Sequence, residues 1–256
     1  MGGNLSAVMA FFRVRLRSQR LSPAAFWIWL SSVGLYQVLG LAFVLVTTMK
    51  LKAGSAWFST LTYGIFQATT GLSYAMGAWA VFFASKYVRR GELDQVILLP
   101  QRPYLTLPLL HLEITELIGS ISGFVIAVIG LHMGGHLTIS ALLLTCLGVI
   151  LGACVVYSFF VLAASLPLLN KQFSGSINIV MDIIQFGQYP VHLYPSVMRT
   201  IFTWVLPVVL IANLPAEIAE GHTMSYLPIL TATSLVLFLG AHWVFKHALR
   251  KFQRHW

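Results

Sequence analysis

The sequence predicts an all-α polytopic membrane protein. Of its 256 residues, 58% are hydrophobic and only 9% charged, against about 25% charged in soluble domains. Mean hydropathy is +0.82. Apolar runs long enough to cross a bilayer recur along the chain, and the scarce charges collect at their ends.

The elements follow in order. Residues 1–20 place Leu5, Met9, Phe12 and Leu16 at helical spacing, with Arg13, Arg17 and Arg20 along one edge of that stripe and Arg15 on the other side. The spacing predicts an amphipathic helix lying in the membrane interface, its arginines reaching lipid phosphates; a basic tail that only sets orientation is the plainer alternative. The first span is expected at 24–47 and the second at 57–85, neither with a charge. Both exceed the ~20 residues needed to cross. A charged segment, 86–104, separates them from a third span at 107–131 and a fourth at 137–166. These two carry Gly119-x3-Gly123 and Gly148-x3-Gly152, a spacing that lets helix backbones approach. Cys146 and Cys154 share the fourth run and are expected to behave as small buried hydrophobes.

The rest of the chain is settled by charge. Three apolar stretches remain, and if all crossed there would be seven spans. With six, thirteen of the sixteen Lys and Arg fall on one side, leaving Lys50, Lys52 and Arg199 on the other. The positive-inside rule therefore predicts six spans with both termini cytoplasmic. The core of span 5 is placed at 176–189 and span 6 at 226–245. Residues 196–216 become a re-entrant or surface-lying hairpin on the outer side, with a plain kinked span as the alternative, within an outer region 190–225, and 246–256 a basic cytoplasmic tail. Pro190, Pro195, Pro207 and Pro215 punctuate the hairpin region. Proline breaks helices, and backbone freed at membrane depth must be buried in protein or line a watery cavity. The whole chain, 1–256, is expected to be one permease-like domain.

Several chemistries are excluded. The chain has no G-x-x-x-x-G-K-[ST] and so no P-loop of its own, and no H-E-x-x-H. His132 and His136 lie four apart in a short outer loop, but two ligands make a poor zinc site. Only two aspartates occur, Asp94 and Asp182, too few for a multi-aspartate metal site. The net charge of +9 is a topology signal here, so no nucleic-acid partner is expected. Three acids are candidates for a transport path or an interface. Glu113 and Glu116 share a face near the start of span 3, where pairing with Arg13–Arg20 is the plainer reading. Asp182 lies in IVMDIIQF, where a helix–helix hydrogen bond is the plainer one.

The 86–104 segment has its own logic. Gly91 can open a helix, and Glu92 and Asp94 favour its positive end. Leu93, Val96 and Ile97 fall at i, i+3 and i+4 and form an apolar edge, and Pro100 stops the helix. Such a helix could dock in a partner's groove or lie on lipid headgroups.

The run Arg90-Gly91-Glu92-Leu93-Asp94, then Leu98-Leu99-Pro100 and Pro103, resembles the cytoplasmic loop of ABC-2-type permeases of the subfamily that reads R-G-x-[LF]-D followed by L-L-x-P-x-x-P. Here the leucine pair is shifted by one, with Ile97 in the first leucine place. A second stretch, Tyr189-Pro190, Tyr194-Pro195, Arg199 and Pro207, is similar to the same subfamily's Y-P…Y-P…R…P. With the span order, the resemblance covers nearly the whole chain. It implies the permease subunit of an ABC exporter of the ABC-2 (type V) architecture in a bacterial cytoplasmic membrane, not itself an enzyme. The 1–20 helix would be its elbow. Arg90, Gly91, Glu92, Leu93, Asp94, Val96, Ile97 and Pro100 would couple it to P-loop ATPase subunits that bind ATP and Mg, with no cofactor in this chain. Tyr189, Pro190, Tyr194, Pro195, Arg199 and Pro207 would form an outer gate. A second permease, the same chain or a different one, would complete the path. The alternative is an ATP-independent secondary transporter or channel, against which stand two uncharged spans.

Overall fold

The computed structural model describes residues 23–51, 54–78, 115–221 and 224–254. The 1–20 helix, the 86–104 segment with all of its expected coupling residues, and Glu113 lie outside the described residues.

The described chain is helical, with no strand. Helix α1 is Pro23–Leu51. Helix α2 is Ala56–Ser73, extended by a π-helical turn Tyr74–Ala78. Helix α3 is Thr115–Met133 and α4 is Ile139–Leu169. Helix α5, Ser176–Gln185, continues as short 3-10 turns over Phe186–Gln188 and Val191–Leu193. Helix α6, Ser196–Thr200, runs into a π turn Ile201–Val205. Helix α7 is Asn213–Glu220 and α8 is Leu227–Arg254. Stretches of α1, α3, α4 and α8 are long and apolar enough to cross a membrane: Ala24–Leu51, Glu116–Met133, Ile139–Leu169 and Leu227–Phe252. The protein is thus a multi-pass membrane protein. Helix α8 does not stop where the sequence suggested a tail begins; it carries the basic residues 246–254 as a continuous helix, since nothing between Phe245 and Arg254 is a helix breaker.

Helix α2 is the hub, and fifteen of its eighteen residues are buried. It meets α3 antiparallel at very short range, because glycines remove the side chains between them. A Cβ on Gly64 would fall on the backbone of Ala127, one on Gly123 on that of Ala68, and one on Gly71 within 2.7 Å of the Ser120 nitrogen. A Cβ on Gly130 would strike Leu61, and one on Gly134 the Trp57 ring. These pairs share one register. The Ser120 hydroxyl then donates 2.7 Å to the Ala68 carbonyl. The contact stripe is a seven-residue repeat of glycine on each helix: Gly64 and Gly71 face Ala127 and Ser120, and Gly123 and Gly130 face Ala68 and Leu61. Of the expected Gly119-x3-Gly123 pair, only Gly123 serves it; Gly119 faces Val33 of α1 at a looser 3.9 Å. The other pair, Gly148 and Gly152 of α4, receives Pro215 and the Ile211 carbonyl, so it seats the segment leading into α7.

Helix α4 starts at Thr138, whose hydroxyl accepts from the Ala141 amide at 3.1 Å. Near its other end stands Pro167. A proline there leaves the Ala163 carbonyl without its usual donor four residues on. The Ser176 hydroxyl at the start of α5 supplies one, at 2.8 Å. Cys146 is exposed on α4 and Cys154 half-buried, so the expectation that both are buried is corrected. In a bilayer an apolar run does not imply an interior position, since lipid accepts the same surface.

Candidate functional site

The prolines of the 190–225 region all open elements. Pro190 precedes the turn Val191–Leu193, Pro195 precedes α6, Pro207 precedes the turn Val208–Leu210, and Pro215 lies in the first turn of α7, where a missing N–H costs nothing. Buried Asn213 holds the first of these together. Its side-chain nitrogen donates 3.1 Å to the Tyr189 carbonyl, and its oxygen accepts from the Val191 amide at 2.7 Å. It thus satisfies the backbone on both flanks of Pro190, which has no N–H to give. Sequence reasoning passed over Asn213; a lone asparagine within an apolar, proline-flanked run was the signal available.

The remaining residues expected of the outer hairpin are placed as follows. The Tyr194 hydroxyl donates 2.7 Å to the Phe186 carbonyl. The rings of Phe186, Tyr194 and Phe202 form a triangle with centroids 5.0–6.3 Å apart, so the α6 arm folds back on the end of α5. Tyr189 meets the Phe43 ring of α1 edge-on at 6.3 Å. Arg199 is exposed, as is Pro195. His192 packs its ring against Phe58 at 5.9 Å and over Gly54. Gly54 has a φ of 101°, and any Cβ there would occupy the imidazole's place. The loop between α1 and α2 is therefore pinned to the 190–193 turn. His136 sets its ring 5.0 Å from that of Trp57, tilted by 40°. Asp182 is exposed on α5.

A cavity of about 390 Å³ opens between α1, α2, α3 and α5. Helix α1 contributes Ser32, Tyr36 and Gln37, and α2 with its π turn contributes Phe66, Gln67, Thr70 and Tyr74. Glu116 and Gly119 come from α3, and Gln185 from the end of α5. One hydrogen-bonded chain sets its polar wall. The Tyr63 hydroxyl donates 3.0 Å to the Gln37 carbonyl, and Gly40 leaves room for that hydroxyl. With its single proton committed, the phenol can only accept, so Gln67 must turn its nitrogen toward it, at 2.7 Å. The Gln37 side-chain nitrogen donates 3.0 Å to the Gly119 carbonyl. Three helices are thereby joined by polar bonds inside an otherwise apolar bundle, and both glutamines are fixed in one orientation. Among the acids singled out from the sequence, Glu116 lines this cavity and Asp182 does not.

This arrangement provides a partly open, mostly apolar cavity within the helical bundle, with polar groups along one wall, which suits passage or binding of a solute. No curated protein and no solved structure matches the chain. A family model described as ABC-2 family transporter protein matches residues 28–255. With nearly the whole length covered, including the hub helix, the cavity and the 86–104 segment, the chain belongs to the ABC-2 family of transporter proteins.

Proposed function

We propose that this chain is the membrane-spanning permease of an ATP-driven exporter and that a separate P-loop ATPase drives it through Gly91–Leu98. The observation that carries the reading is family membership over residues 28–255. ABC-2 permeases are transport components that generally work with an ATPase partner and are not themselves catalytic. In this reading the path follows the polar wall between α1, α2, α3 and α5.

The six-span arrangement with an outer hairpin is part of the proposal, and contacts along the bundle support it. Ser176 bonds near the C-terminal end of α4, and His192 packs at the N-terminal end of α2; the 176–192 segment therefore runs the length of the bundle. The chain then turns back. Phe202 reaches Phe186, and the next arm sets Ile211 against Gly152 and Pro215 against Gly148 before ending at Gly221. Such a dip, entering and leaving at the outer face, would be a re-entrant hairpin; its second arm, 208–219, is largely buried in protein, as the bilayer requires of irregular backbone, while the α6 arm is exposed. Tyr189, Pro190, Tyr194, Pro195, Arg199 and Pro207 would form the outer closure. Both termini would be cytoplasmic, and a second permease would face this one.

The test is purification of the full chain from its own membrane. A P-loop ATPase is expected to come with it. Deleting Gly91–Leu98 is expected to leave ATP hydrolysis in place and abolish transport. Transport at the normal rate after the deletion would overturn the coupling role. Transport by the chain alone, driven by an ion gradient in liposomes, would overturn the exporter reading in favour of a secondary transporter.

A further inference from the structure

We infer that one edge of α5, formed by Asn178, Asp182 and Gln185, lines a water-filled groove at membrane depth that leads into the cavity between α1, α2, α3 and α5. That a solute moves along it rests on the exporter reading, in which a second permease closes the groove against lipid; the presence of water at this edge does not rest on the ATPase.

Helix α5 carries two parallel stripes. Asn178, Asp182 and Gln185 fall at i, i+4 and i+7 and share one face. Ile179, Ile183 and Phe186 repeat that spacing one residue on and form the adjoining face. Together they make the open side of the helix. Asn178, Asp182, Ile179 and Phe186 are exposed and Gln185 and Ile183 half-buried, while Ile177 and Ile184 point into the core. The apolar stripe suits lipid, and Ile179 is 63% exposed. The polar stripe does not.

Depth makes the polar stripe significant. The Ser176 hydroxyl bonds the Ala163 carbonyl of α4. Helix α4 continues past Ala163 to Leu166 and Leu169, both apolar and exposed, so lipid extends beyond the level of Ser176. Asp182 stands six residues further on, about 9 Å along the helix and away from that end. A carboxylate at such depth faces the interior of a bundle or a water-filled cavity, since lipid tails offer it nothing. Among the described residues the side chains of Asn178 and Asp182 make no hydrogen bond or ion pair. Water is at hand at the far end of the stripe, because Gln185 lines the cavity of about 390 Å³. The stripe thus connects the start of α5 with that cavity.

The experiment uses the full chain in opened membranes of the cells that express it, so that reagents reach both faces. Cys146 and Cys154 are first replaced by alanine. Single cysteines are then introduced as Asn178→Cys, Asp182→Cys and Gln185→Cys, with Ile179→Cys on the apolar stripe as the reference. The probes are two methanethiosulfonates of permanent charge, one carrying trimethylammonium and one sulfonate, which dissolve in water and not in lipid. Only a thiolate attacks them, and a thiol in lipid does not ionise, so the three polar-edge variants are expected to react about tenfold or more faster than Ile179→Cys. Because Asp182→Cys also removes the carboxylate, a second measurement keeps it in place. At Gln185→Cys the rate of the cationic reagent is divided by that of the anionic one, each normalised to its rate on a free thiol. Adding Asp182→Asn is expected to lower this ratio about fivefold, through loss of one nearby charge.

Rates at Asp182→Cys and Gln185→Cys no higher than at Ile179→Cys would overturn the inference, as would a charge ratio unmoved by Asp182→Asn. Reaction at Asn178→Cys alone would also overturn it, since only the helix end would then be wet. Neither transport nor ATP hydrolysis is read, so failure here leaves the exporter reading standing, and failure of ATPase coupling leaves the groove standing.

Discussion

Helices α1 and α2 are neighbours with opposite designs. Helix α1 exposes Trp27, Ile28, Leu35, Val38, Leu39, Phe43, Val46 and Met49, and its buried residues are Gln37, Val44 and Thr48. Two of those three are polar. Helix α2 buries Ser59, Thr60, Thr62, Gln67, Thr69, Thr70 and Ser73. The difference teaches how a membrane protein divides its residues. In water the apolar face goes inward because water rejects it. In a bilayer, lipid accepts apolar side chains as readily as protein does, so burial is reserved for close packing and for polar groups that need partners. Helix α1 is coat, and α2 is the interior, held by glycine contacts and hydroxyl bonds such as Thr48 to Ser59 at 3.0 Å.

The comparison can be broken most sharply at glycines. Gly123→Leu would drive a side chain into the Ala68 and Gln67 backbone. It is expected to cost about 3 kcal/mol or more and to abolish monodisperse protein in detergent. Gly34→Leu on α1 meets nothing within 4 Å and is expected to stay within about 0.5 kcal/mol of the parent by thermal unfolding. If both behaved alike, the division into coat and interior would be wrong.

A smaller effect tests the polar interior. Tyr63→Phe removes the hydroxyl that joins Gln37 to Gln67 and should cost about 1 kcal/mol. Ser31→Ala, at an exposed hydroxyl on α1 that bonds only its own helix, should be nearly neutral in the same assay.

The smallest effect concerns charge in the connection that carries α7. Burial, with the Glu220 carboxylate adding to it, holds the Glu217 carboxyl above its ordinary value of 4.5. A raised carboxyl binds its proton more tightly in the folded state than in the unfolded one. Its contribution is therefore fully present below about pH 4.5 and is lost as pH rises through the shifted value. Glu217→Gln is expected to flatten that decline, seen as a melting temperature that falls less between acid and neutral pH. A steeper decline in the variant would contradict the assignment.

Much of the architecture was legible in advance because hydropathy and charge are local quantities. The starts of α1 and α8 follow from their apolar runs. The proline-broken region after α5 was visible as Pro190, Pro195, Pro207 and Pro215. What the sequence concealed was partnership. Gly119-x3-Gly123 stood out by its short spacing, while the repeat that matters, Gly64–Gly71 against Gly123–Gly130, is spread over two helices and appears only once they are in register. Asn213 acquires its role from Pro190, twenty-three positions earlier. Gln37 and Gln67 stand in two separate apolar runs; their meeting through Tyr63 creates the polar wall of the cavity. Of the acids weighed beforehand, Glu116 and Asp182 could not be ranked until the bundle turned one toward the cavity and the other outward.

The sequence by itself therefore determined the class of protein, the four membrane-length helices and its family, because each rests on runs of residues next to one another in the chain and on the cost of putting charge into lipid. The tertiary structure alone decided which helix is enclosed and which faces lipid, and which polar groups meet to make a compartment. Hydrophobicity alone cannot make that choice inside a membrane, where lipid accepts apolar side chains as readily as protein does. Backbone approach at glycines and the demand of each buried donor for an acceptor make it instead.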